Sequence, residues 1–265
     1  MKKSDGFTLD PVKRDKSMKE LHKKYLEKIG MSEEEYMIFC KPQLEKVAEF
    51  QQLAKIYSDK KAHLQDYLLE HTVRTEYSSG GECLHRGFYC PSPIFDITAG
   101  NISRGRLCRE ANPKVQYKHL FDAEDRQIGC IKLLPEAFPE YCEYILWDGR
   151  ESLGISFTGD LLETISRCKY DESGRIARYE HALLCPGVNT ELGTETYSYT
   201  DAQLIVERTR ILDFYSPPTM TLDKYTFSVE DGLLKSYTVE IHSTQDISHL
   251  PAGERTYTIR KKRRI

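Results

Sequence analysis

Long hydrophobic runs are missing from this sequence of 265 residues. Nothing in it reaches the roughly 18 apolar residues that a membrane-spanning helix requires. The opening MKKSDGFTLD has a positive start without the apolar stretch of about 7–15 residues that would complete a secretory signal. A cytoplasmic protein with no membrane partner is expected. Tryptophan occurs once, and the apolar share of 39 % falls below the roughly 45–50 % usual in globular chains. A doubly wound enzyme would carry more aliphatic residues, so the shortfall points to a sheet with both faces partly wet. No one charge sign dominates either: 38 Lys and Arg stand against 41 Asp and Glu, a net charge of −3. That balance gives nucleic acid no reason to bind. The basic run Arg260 to Arg264 is expected to be a solvated terminal strand.

Signature motifs are also lacking. Phosphate-cradling GxxxxGK[ST] loops, GxSxG elbows and HExxH helices do not occur. The eight cysteines and eight histidines contain no CxxC or HxxxH pair. Cys83, His85, Cys90 and Cys108 form the densest set of potential ligands, but zinc needs four converging groups, usually offered as two close pairs. Thiols in an irregular segment are expected there, with no metal and no cofactor, and without a secretory signal they should be reduced. Pairing Cys83, Cys90 or Cys185 with a histidine such as His119 or His181 would require a low-pKa thiolate and an oriented base, and nothing in the spacing supplies them. The absences favour a protein that is not an enzyme.

What the chain has in quantity is tyrosine, seventeen residues of it, a side chain suited to half-exposed strands and binding faces. Its N-terminal part reads as helical. Met18, Leu21, Tyr25 and Ile29 recur at three- and four-residue steps, and Gly30 ends that helix. Ser32-Glu33-Glu34-Glu35 has capping-box spacing and predicts a short second helix. Pro42 fits the first turn of a third and longest one, with an apolar stripe through Leu44, Val47, Phe50, Ala54, Tyr57, Leu64 and Tyr67 or Leu68. Between about Ser78 and Pro113, Gly and Pro break every period, which predicts a connecting segment.

From Tyr117 onward an aromatic residue ends a strand, a polar or Gly-containing turn follows, and an alternating strand departs. The aromatics Phe121, Trp147, Tyr170, Tyr199, Phe227 and Tyr257 set a period of roughly 23 to 30 residues, and repetition at that scale implies stacked units. The expected fold is α+β: a helical subdomain over residues 1–77, a connecting segment over 78–116, and over 117–265 a long, twisted, mostly antiparallel sheet of repeated β-hairpins with ten to twelve strands.

The unit Tyr170-Asp171-Glu172-Ser173-Gly174-Arg175-Ile176, with Arg178-Tyr179 beyond it, resembles the signature of the YD-repeat, or rearrangement-hotspot, family of bacterial toxin and cell-surface proteins. The units at Phe121, Tyr199 and Phe227 keep the aromatic and the following strand in degenerate form. In that family the repeats build extended sheets without catalytic roles. A helical start with such a tail looks like the immunity proteins that neutralise bacterial toxins.

The resemblance implies a binding protein whose partner is a cognate toxin domain. Tyr and Arg dominate binding hot spots, so Tyr197, Tyr199, Tyr225 and Tyr237, with Arg208 and Arg210, are the candidate contact residues on the strands; the alternative is that these rings form the sheet's own core or cross-strand pairs. Acidic loops around Glu33, Glu34 and Glu35, or Asp122 and Asp125, would cover a basic cleft on the partner. The alternative is a sheet-based carbohydrate or envelope-component binder, and a third reading is an enzyme with a cleft between helices and sheet. The final strand, Thr256 to Ile265, is expected at an edge of the sheet, blunted by its charges.

Overall fold

Ser32 starts the first long helix through the predicted capping box: its Oγ accepts from the Glu35 N–H at 3.2 Å, and Glu35 Oε2 accepts from the Ser32 N–H at 2.7 Å. In the computed structural model, residues 19–20, 22–24, 26–27, 30–79, 86–98, 105–108, 116–133, 140–184, 190–212, 218–243 and 255–258 are described, with the backbone alone for 96–98, 241–243 and 255–258. The helix, α1 (Glu33–Tyr57), does not stop before Pro42 but runs through it. A proline removes one bond to the carbonyl four residues back. Here that is Ile38, and both residues lie on the exposed side, where water can replace the bond. The expected second and third helices are therefore one. The break comes later, at Ser58-Asp59, before α2 (Lys61–His71), because short polar side chains favour turns.

Among the described residues, thirteen strands form one sheet. They are β1 (Arg74–Ser79), β2 (Arg106–Cys108), β3 (Tyr117–Phe121), β4 (Gln127–Lys132), β5 (Tyr141–Asp148), β6 (Glu151–Thr158) and β7 (Leu161–Tyr170). The remainder are β8 (Ile176–Leu184), β9 (Thr190–Tyr199), β10 (Gln203–Leu212), β11 (Thr219–Glu230), β12 (Leu233–Ser243) and β13 (Arg255–Thr258). From β3 to β13 every strand pairs antiparallel with its sequence neighbour, and β13 is an edge. Residues 259–265 lie outside the described part. The fold is α+β as expected. From Tyr117 onward the described residues hold eleven strands, while β1 and β2 come from the segment read as helix end and connection. β1 lies between β2 and β3.

The hairpin turns explain the repeated aromatic, acid and arginine. Asp171 accepts from the N–H groups of Ser173 (2.9 Å) and Arg175 (2.8 Å) and from Arg175 Nε (3.0 Å). Asp122 does the same with Glu124 (3.1 Å), Arg126 (2.8 Å) and Arg126 Nε (2.9 Å). Asp125 takes the left-handed position, φ 62°, that Gly174 takes with φ 76°, since aspartate tolerates that region better than most side chains. In each unit the arginine lies over the next aromatic, Arg126 over Trp147 and Arg175 over Tyr199. That aromatic donates back to the residue after the arginine: Trp147 Nε1 to Gln127 O at 2.8 Å, and Tyr199 OH to Ile176 O at 2.9 Å.

The sheet is covered on both faces. Tyr36, Cys40, Val47 and Phe50 of α1, with Leu64 and Leu68 of α2, bury against Tyr144, Ile155, Phe157, Ile165, Ala182 and Leu192. Strand alternation sends the neighbouring residues to the other face, where Tyr179, Tyr197, Val206, Tyr225, Phe227 and Tyr237 form a second core with Ile94. Ile94 belongs to α3 (Pro93–Thr98). Together with the 3₁₀ turn Gly87–Tyr89, this part of the expected connecting segment forms a strap across the strands. Tyr197, Tyr225 and Tyr237, candidates for a contact stripe or for the sheet's own core, are 8 %, 4 % and 6 % exposed; they are core. Among the described residues no helix is long and apolar enough to cross a membrane.

Candidate functional site

The strap is fixed by charges. Glu143, 1 % exposed, accepts from the Arg86 N–H at 2.7 Å, and Arg86 Nε lies 3.5 Å from its other oxygen. Arg86 also donates to Ser152 Oγ at 3.3 Å. Burial pushes the Glu143 carboxyl above its ordinary range, and Arg86 pulls it back only in part. Gly154 makes room for this pair, since a Cβ there would stand 2.5 Å from Glu143 Oε1 and 2.4 Å from Ser166 Oγ. Farther along, Ser92 donates to Glu195 at 2.9 Å, and the Tyr197 hydroxyl donates to the same carboxylate.

Beside the strap a cleft of about 380 Å³ runs across strands β4 to β10, walled among others by Lys132, Tyr141, Glu163, Phe95 and Leu183. Its floor is ordered by strand register. Gly193 pairs with His181 on β8 and with Arg210 on β10. Glu191 and Glu195 share its face two residues away, and Arg208 lies opposite Glu195. Arg208 Nε donates to Asp223 at 2.9 Å, and Arg210 contacts Glu191 at 3.6 Å. The Tyr179 hydroxyl is buried and has no hydrogen-bond partner among the described residues.

Burial governs ionisation here. The His181 imidazole is pushed down to about 4 and is neutral at pH 7; the Cys168 thiol is pushed up to about 11, with Arg86 opposing, and stays protonated. His119, on the same face, is also held down to about 4 by burial. Its Nδ1 faces the Gln127 amide nitrogen, a donor, at 3.1 Å, so Nε2 carries the proton and donates to Ser78 Oγ at 2.9 Å. Cys90 is buried with its thiol 3.6 Å from Ser92 O, and Cys108 stands on β2 with its sulfur 3.4 Å from Ser79 Oγ. Cys83, His85 and Cys185 lie outside the described residues.

The residues singled out from sequence fall into three groups. Tyr197, Tyr225 and Tyr237 are core, and Tyr199 serves the Arg175 turn. Arg208 and Arg210 line the cleft. Of the acids, Asp122 is a buried turn cap, Asp125 pairs with Arg74, and Glu35 closes the capping box. Glu33 and Glu34 remain exposed on the first turn of α1. Just after them stand Met37, Ile38 and Phe39, 38 %, 65 % and 41 % exposed. Sequence reasoning missed that apolar cluster and missed Gly193, although a glycine inside the alternating run Thr190 to Tyr199 is the kind of interruption that marks a close approach. The chain matches no known protein family, no curated protein and no solved structure.

Proposed function

We propose that this chain is a non-enzymatic binding protein that neutralises a cognate bacterial toxin domain, engaging it through the first turns of α1. The observation that carries the reading is the exposed Met37-Ile38-Phe39 cluster beside the acids Glu33 and Glu34. Exposed large apolar side chains beside charged ones mark a candidate protein-binding surface. The acidic rim suits a partner with a basic cleft. The matching Asp122 and Asp171 turns support the YD-repeat resemblance.

The test is an affinity pull-down from native lysate, wild type beside Ile38→Asp and Glu33→Lys/Glu34→Lys, followed by co-expression with whatever is recovered. Wild type should retain one protein stoichiometrically and suppress its toxicity. Ile38→Asp should weaken capture by on the order of 100-fold, about 2–3 kcal/mol. A blank with wild type, or equal capture by the variants, rejects the reading.

A further inference from the structure

Three glycines lie inside described strands, and two are explained by crowding. A Cβ on Gly129 would meet Leu68 at 2.9 Å, and one on Gly154 would meet Ser166 and Glu143. Gly193 differs: the nearest atom to its missing Cβ is the His181 carbonyl oxygen at 3.9 Å, and its φ is not positive. Neither sterics nor backbone conformation requires glycine there, although glycine weakens a strand interior. What the absent side chain leaves is a bare patch of floor, ringed by His181, Arg210, Glu191 and Glu195.

We propose that the cleft over Gly193 binds an uncharged polyhydroxylated ligand, a sugar of one or two rings. Its volume of about 380 Å³ lies in the range of roughly 300–1,000 Å³ typical of small-ligand sites. The charges lining it balance: Lys132, Arg208 and Arg210 against Glu163, Glu191 and Glu195. An anion entering would meet the two glutamates beside Gly193, and a cation would meet the two arginines. A hydroxyl both donates and accepts, so either kind of group satisfies it. Tyr179 is one of the residues that wall the cleft, and its hydroxyl, on a residue 1 % exposed, has no hydrogen-bond partner among the described residues; a buried polar group in that position calls for one. Phe95, set edge-on to His181 with ring centres 5.1 Å apart, and Leu183 supply apolar wall for the C–H face of a sugar ring.

The experiment is saturation-transfer NMR and calorimetry on the full chain with glucose, galactose, mannose, N-acetylglucosamine and their disaccharides, using citrate and spermidine as the anionic and cationic probes. At least one neutral sugar should bind, and neither charged probe should displace it. Gly193→Val should abolish binding while its unfolding midpoint stays at or above wild type, because a β-branched residue suits a strand. Tyr179→Phe, which removes an oxygen that bonds to nothing described, should fold normally and bind the sugar about five- to tenfold more weakly. Binding by no sugar, displacement by citrate or spermidine, or unchanged affinity in Gly193→Val overturns the proposal. If Gly193→Val does not fold, unchanged affinity in Tyr179→Phe does so. Ile38→Asp should leave sugar binding intact, so failure here and failure of the toxin reading are separable.

Discussion

The two faces of this sheet are buried by different means. On one, two helices lay an apolar stripe over aliphatic and aromatic residues, and the buried carboxylate there, Glu180, has three cations around it: Lys46, Arg167 and Arg178. On the other, one pass of irregular chain is tied down through Glu143 and Glu195, and the aromatic core beneath it is interrupted by polar floor. Apolar contact is non-directional, so the helix face tolerates approximate fit. Buried charges need their partners, so the strapped face is specific and unforgiving.

The largest effects should separate the faces by rescue. Phe50→Ala, on the helix face, should cost about 3–5 kcal/mol in urea unfolding through the cavity it leaves. Glu143→Gln should cost a comparable 3–5 kcal/mol because Arg86 is left buried and unpaired. The double change Arg86→Met/Glu143→Leu should then recover most of the loss; if it is as unstable as the single variant, the strap is not held by that pair.

Acid should loosen the strapped face next. The unfolded chain takes up histidine protons near pH 6.5, whereas folded His119 and His181 wait until about pH 4. In that window the unfolded state binds more protons, so stability falls as pH falls. For His119, fully buried, the difference amounts to about 3 kcal/mol between the two limits. Urea midpoints at pH 7 and pH 4.5 that coincide would contradict this. The smallest effect concerns the repeated turn: Asp122→Ala should cost about 1–2 kcal/mol, and Asp171→Ala, with the same bonds in a more exposed turn, should cost less by the same measurement.

The hairpins were legible because their causes are local. Asp122, Asp171 and Gly174 act on residues within five positions, and strand alternation shows within ten. The capping box of Ser32 and Glu35 was legible for the same reason. The strap was not, because Arg86 and Ser92 take their meaning from Glu143 and Glu195, more than fifty residues away. Pro42 misled because solvent at Ile38 cannot be read from a periodicity. The tyrosine stripe was read from alternation alone, which gives which residues share a face but not whether that face is covered. Gly193 was visible as an interrupted pattern, yet only the space above it separates it from Gly154.

The route of the chain also sets an order of assembly. Strands from β3 onward meet their sequence neighbours and can zip together as they appear, which keeps their loop closures short. Helix α1 cannot join so early, since the strands beneath it are β7, β8 and β9. During synthesis at roughly 5–20 residues per second, its Tyr36, Cys40, Val47 and Phe50 stripe stays uncovered for about 7–28 seconds between completion of Tyr57 and of Tyr199. Helix α1 is thus made before the strands it packs on and is seated late.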